Sequence, residues 1–115
     1  MSFKSKYTFK QRIQESTRVL SKYPNRVPII CEKSSNTHGP NIEKKKYLVI
    51  DDLIISQFIL VIRQRLRISE ETAIFLIVGD GIIPANTSTM GVLYDVYKDM
   101  DGYLYITYSF ENIFG

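Results

Sequence analysis

A single cysteine among 115 residues rules out an internal disulfide and suits a reducing compartment such as the cytosol. No apolar run reaches the roughly 18 residues a membrane span needs, because Asp51, Asp52, Arg63 and Arg65 bracket the longest candidate. The opening Met-Ser-Phe-Lys-Ser-Lys lacks the apolar stretch of a signal peptide. Any membrane role is therefore expected to be acquired, through a lipid or a partner. The one histidine, His38, has neither a second histidine nor a set of cysteines beside it, so no metal site is expected. Internal repeats and low-complexity segments are missing. So is any legible nucleophile–base or acid–base arrangement, and no enzymatic role is expected.

Several short strings look like more than they carry. Asp99-Met100-Asp101-Gly102 resembles the start of a calcium loop, but its glycine is fourth and Phe110 stands twelfth, where an EF-hand needs Gly sixth and Glu twelfth. Gly79-Asp80-Gly81 is a turn, since the third glycine of a dinucleotide loop does not follow. Asn86-Thr87-Ser88 has the form of a glycosylation sequon and is expected to stay unmodified in a chain that is not secreted. Cys31 ends the apolar run Val27-Pro28-Ile29-Ile30 of a strand and is expected in the core.

What is present is an ordinary globular composition, 44% apolar and 23% charged, in a length that favours one domain. The net charge of +3 hides an asymmetry. Residues 1–47 carry 11 Lys/Arg against 3 Asp/Glu, and residues 48–115 carry 4 against 9. A basic half suits nucleic acid, anionic lipid or acidic peptides. Nucleic acid is not expected, because the basic residues interleave with no aromatic stacking platform.

Thr8-Phe9-Lys10-Gln11 is a capping box that starts a helix at Phe9. Phe9, Ile13, Ser16 and Leu20 follow at helical spacing, and Pro24 ends the segment by restricting Tyr23. Val27–Glu32 and Lys45–Ile50 have strand character, and Ser34–Asn41 supplies the Ser, Asn, Gly and Pro of a hairpin loop between them. Ile54–Arg67 predicts a largely buried helix with Ile55, Phe58, Ile59, Ile62 and Leu66 on one face. Ala73–Val78 is a buried strand, Thr89 caps a short helix, and Asp101-Gly102 turns into a last strand over Tyr103–Ser109. A hairpin, one crossover helix and a second strand pair make the β-grasp arrangement of ubiquitin-like domains. The expected class is α+β, with a four-stranded mixed sheet. After Ser109 nothing turns the chain back, so residues 110–115 are expected to be a free tail.

Lys22-Tyr23-Pro24-Asn25-Arg26-Val27-Pro28, Glu43-Lys44-Lys45-Lys46-Tyr47-Leu48-Val49, Ser56-Gln57-Phe58, Ser88-Thr89-Met90-Gly91, Asp101-Gly102-Tyr103-Leu104-Tyr105 and the terminal Phe114-Gly115 resemble, in that order, the GABARAP-like ubiquitin-like autophagy modifiers. The resemblance implies two N-terminal helices (1–22) packed on a β-grasp core (23–109). It implies that a ubiquitin-type activating and conjugating cascade joins Gly115 to phosphatidylethanolamine, the covalent lipid being the only added group. A cysteine protease would remove any residues beyond the glycine and reverse the conjugation. The protein would be cytoplasmic, and on the autophagosomal membrane when lipidated. Some parasite relatives serve a plastid-like organelle, and an unconjugated peptide-binding module stays open as the rival. Glycine suits a tail that must thread narrow enzyme sites, having the least bulk and the most backbone freedom.

The resemblance also implies a groove for receptors and adaptors carrying aromatic-x-x-aliphatic motifs. Its aromatic pocket would be lined by Glu15, Val19, Pro28, Ile30, Lys46, Leu48 and Tyr103. Its aliphatic pocket would be lined by Tyr47, Val49, Ile50, Leu53, Phe58, Val61 and Ile62. Arg26, Lys44, Lys46 and Arg65 would form a basic rim for acidic flanks. The partner would add as a strand beside residues 46–50. Lys46, Leu48 and Ile50 face opposite to Tyr47 and Val49, so pockets on both faces require that strand to be an edge. Two departures stand out: Ile50 replaces a proline common in the family, and the Val78–Ile83 turn is one residue longer than usual.

Overall fold

The computed structural model describes residues 1–111. Ser2 caps a one-turn helix α1 (Phe3–Lys6), and Thr8 and Gln11 close a reciprocal capping box on α2 (Phe9–Lys22). Then follow β1 (Arg26–Lys33), β2 (Lys46–Ile50), α3 (Ile55–Leu66), β3 (Phe75–Val78), α4 (Met90–Tyr97) and β4 (Leu104–Ser109). The four strands lie in the order β2-β1-β4-β3. β1 is antiparallel to β2 and parallel to β4, while β3 is antiparallel to β4. This is the expected ubiquitin-like sheet with N-terminal helices, and α2, α3 and the four strands begin and end within two residues of their sequence-read bounds.

Strand alternation sorts the side chains onto two faces. Val27, Ile29 and Cys31 of β1, Tyr47 of β2, and Leu104, Ile106 and Tyr108 of β4 join Ile55, Phe58, Ile62 and Leu66 of α3 and Met90 and Leu93 of α4 in the main core. The opposite face carries a smaller cluster of Phe3, Ile30 and Tyr103, with Tyr7 and Tyr105 against it. Cys31 is fully buried as expected, and burial pushes its thiol pKa up. Leu60 alone breaks the expectation for α3, standing 60% exposed on the outer side.

Pro28 sits inside β1, a central strand, where a missing N–H would ordinarily cost a ladder bond. Cys31 N–H donates to Lys45 O at 2.8 Å, so the odd-numbered amides of β1 face β2 and the position of Pro28 faces the β4 side. The β1–β4 pairing begins only at Ile29–Leu104, so no bond is lost. The long turn resolves into a three-residue loop: Val78 and Ile82 exchange N–H···O bonds of 2.8 and 2.9 Å around Gly79-Asp80-Gly81.

Only the later half of the α2 stripe faces the sheet. Phe9 and Ile13 are 47% and 36% exposed, whereas Ser16 is buried and Leu20 half-buried. Polar contacts hold α2 across the sheet. Ser16 Oγ donates to Asp101 O at 2.6 Å, and Arg12 pairs with the fully buried Asp101 carboxylate at 2.5 Å. The same carboxylate accepts from Tyr105 Oη and from Tyr103 N–H. The bond from Asp101 raises the pKa of Arg12 and, after burial, that of Tyr105. Gly102 lets the helix come this close: at φ 88°, a Cβ there would stand 2.4 Å from Ser16 Oγ.

The expected free tail needs one correction. Phe110 is held: its N–H donates to Thr37 Oγ1 at 3.0 Å, and its ring packs edge-on against Tyr108 with centroids 5.7 Å apart. Sequence patterning stops at Ser109 because the strand does, but the ring still finds the hairpin loop. Residues 112–115, and so Gly115, lie outside the described residues.

Candidate peptide-binding groove

β2 is an edge: among the described residues no strand pairs with its outer side. Tyr47 faces Ile29 and Val49 faces Val27 in the register set by the Cys31–Lys45 bond. Hydrogen-bonded and non-bonded pairs alternate in an antiparallel ladder, so the N–H and C=O groups of Lys46, Leu48 and Ile50 point outward. The three amides and the carbonyls of Lys46 and Leu48 form a template for an added strand, while Ile50 O already accepts from Leu53 N–H at 3.2 Å. Ile50 contributes an outward amide that proline would lack, and its side chain is 46% exposed.

Beside this edge, between α2 and β2, lies a cavity of about 190 Å³ lined by Val19, Pro28, Lys44, Lys46, Tyr47, Leu48 and Tyr103. Five of the seven residues expected for the aromatic pocket are there. Glu15 stands beside it and binds Lys46 Nζ at 2.5 Å, joining the helix wall to the strand wall. Ile30 is fully buried and packs within the Phe3–Tyr103 cluster, so it supports the wall without lining it. Lys44 and Tyr47 were expected elsewhere, as rim and as second pocket. Lys44 shares the two-residue period of Lys46 and Leu48, a signal that was there to find. Tyr47 also borders the cavity, although its ring is nearly buried against Phe58 on the core face. Burial pushes the Tyr47 phenol up to about 12, and its hydroxyl donates to Lys44 O at 2.7 Å.

The residues expected for the aliphatic pocket separate into two layers. Phe58 and Ile62 are fully buried and Tyr47 nearly so, with Tyr47 and Phe58 edge-to-face at 5.5 Å. They are core, and can act only as a floor. Val49, Leu53 and Val61 are half-buried against that core, and with exposed Ile50 they form the surface a side chain could meet. Of the basic rim, Lys44 and Arg65 share a cleft with Glu43, Gln64 and Arg67. Arg67 was not anticipated; it is the left-handed cap of α3 (φ 55°, ψ 40°). Arg26 stands apart, opposite Ile50 at the far end of the β1–β2 ladder.

A β-grasp sheet with a free edge strand and N-terminal helices, here with an apolar cavity and a basic cleft beside that edge, defines a ubiquitin-like protein. Residues 11–115 match the family described as "Autophagy protein Atg8 ubiquitin like". The chain is 47% identical over 114 residues to "Autophagy-related protein 8" of Mycosarcoma maydis, covering 99% of this chain and 96% of that one. It is 48% identical over 113 residues to the protein of the same name from Schizosaccharomyces pombe, covering 98% and 93%. The crystal structure of Trypanosoma brucei ATG8 superimposes with a TM-score of 0.88 at 35% identity, covering 95% of this chain and 93% of that one. The chain belongs to the Atg8 family of ubiquitin-like autophagy proteins.

Proposed function

We propose that this protein is a GABARAP-like modifier conjugated through Gly115 to phosphatidylethanolamine, and that its groove then gathers receptors and adaptors on the autophagosomal membrane. In this reading it is cytoplasmic until lipidated and catalyses nothing itself. Activating and conjugating enzymes attach it, and a cysteine protease processes and releases it. The observation that carries the groove half is the apolar cavity beside the outward-facing amides of Lys46, Leu48 and Ile50. A peptide of the form aromatic-x-x-aliphatic adds its backbone to that edge and sends its first anchor toward Val19, Pro28, Leu48 and Tyr103. The second anchor goes toward Val49, Ile50, Leu53 and Val61. Burying each anchor contributes roughly 1.5–3 kcal/mol, a large share of the about 8 kcal/mol that micromolar binding represents.

The conjugation half is supported by family membership and by a family match that runs to the terminal glycine. Its test is Gly115→Ala. The variant is expected to fold as the parent does, to bind motif peptides unchanged and to lose membrane attachment in cells. Membrane partitioning equal to the parent's would refute conjugation and leave an unconjugated peptide-binding module.

A further inference from the structure

Tyr103 lines the aromatic cavity and is 1% exposed, yet its hydroxyl oxygen is buried and finds no hydrogen-bond partner among the described residues. The ring itself is well placed. Phe3 meets it edge-on at 5.3 Å, and Tyr105 does so at 6.5 Å. Its own N–H is used by Asp101. Phenylalanine would satisfy all these contacts, so packing alone does not account for the oxygen. Buried hydroxyls are normally paired, and one left bare is destabilising. Burial, and then the charge of nearby Glu15, push the phenol up to about 12, so the group is a neutral hydroxyl at physiological pH.

We infer that Tyr103 Oη reads the polar edge of the incoming aromatic anchor, so that the cavity takes tryptophan or tyrosine in preference to phenylalanine. This rests on the groove reading above and adds a selection rule to it. An indole Nε1–H or a phenol O–H donates to Tyr103 Oη and supplies its missing partner. A phenylalanine anchor fills the same volume and leaves the oxygen bare. A site that must hydrogen-bond its ligand discriminates against the isostere lacking the group far more than an apolar pocket does, because the penalty falls on the site's own unpaired atom. Ligand entry has to part the walls slightly, since the oxygen is out of contact with water in the free protein. The exposed Lys46–Glu15 pair that joins the two walls is the contact that yields most cheaply.

The test titrates three peptides, differing only in Trp, Tyr or Phe at the aromatic anchor, against the parent and Tyr103→Phe, with amide shifts of Val19 and Leu48 followed by NMR. Tyr and Phe anchors are nearly the same size, so their ratio isolates the hydroxyl. The preference for Tyr over Phe is expected to shrink about tenfold in Tyr103→Phe, equivalent to about 1.4 kcal/mol. The preference for Trp over Phe should shrink in the same direction. Tyr103→Phe is also expected to unfold at no lower denaturant concentration than the parent; a clear loss of stability would mean the hydroxyl already has a partner and would overturn the inference. Ratios unchanged by the substitution, with shifts at Val19 and Leu48, overturn the inference alone. Absence of binding by all three peptides, or binding that leaves those two amides unmoved, overturns the groove reading and this inference with it.

Discussion

Phe110 should behave as part of the folded domain. Its ring is half-buried, edge-on to Tyr108, and lies where a Cβ on Gly39 would stand 2.5 Å from its Cε2 atom. Truncating a fully buried phenylalanine to alanine costs about 3–5 kcal/mol, so at half burial Phe110→Ala should cost about 2 kcal/mol. For a domain of this size that lowers the melting temperature by about 8 °C. Gly39→Ala evicts the ring and also forces alanine to φ 144°, a strain of order 1 kcal/mol, for a total near 3 kcal/mol. In the Phe110→Ala background the same glycine change should cost only the strain. The double-mutant cycle by urea denaturation therefore shows a coupling of about 2 kcal/mol. Independent, additive costs would refute the seating of Phe110 over Gly39. A Phe110→Ala variant within about 0.5 kcal/mol of the parent, the range of an ordinary surface change, would restore the free tail.

Peptide affinity should fall with added salt, because Lys44, Arg65 and Arg67 share one exposed cleft beside the groove and their field is screened beyond about 8 Å at physiological ionic strength. Titrations from low to physiological salt that give one constant affinity would contradict this. Ile50→Pro removes an outward amide at the end of the free edge and a half-exposed side chain from the second anchor's surface. It should reorder Leu, Ile and Val at that anchor without abolishing binding, and an unchanged order in a three-peptide titration would mean Ile50 shapes nothing. Ser16→Ala removes the hydroxyl that donates to Asp101 O at 2.6 Å. Leaving that buried carbonyl short of a donor should lower stability by about 1–2 kcal/mol, and a denaturation midpoint equal to the parent's would show that α2 is held otherwise.

Elements were legible wherever a local rule acts alone. The Thr8–Gln11 capping box, the Thr89 cap and the alternation of β2 are written in neighbouring residues, and each appears where the pattern puts it. The packing of α2 was not legible, since Ser16, Arg12 and Asp101 meet across 85 and 89 residues. No window of apolar periodicity reports a buried polar network. The docking of Phe110 escaped for the same reason: its partners Thr37 and Gly39 lie some seventy residues earlier. In the groove, the resemblance named residues that the fold gathers beside β2 and α2, but it could not tell lining from floor. Ile30, Phe58 and Ile62 are apolar like their neighbours, and only the three-dimensional burial separates them from Leu48 and Val61. The resemblance gives Lys44 as rim alone, although its phase with Lys46 and Leu48 also puts it beside the cavity.

The proposal that Gly115 is joined covalently to a membrane lipid is the one to test most directly. The most direct measurement is the intact mass of the protein recovered from the membrane fraction of its own cells, with fragmentation to place any added group. The account predicts a phosphatidylethanolamine adduct confined to Gly115 and removed by a phospholipase that cleaves the headgroup. Membrane-recovered protein with the unmodified mass, or an adduct on any other residue, would contradict it.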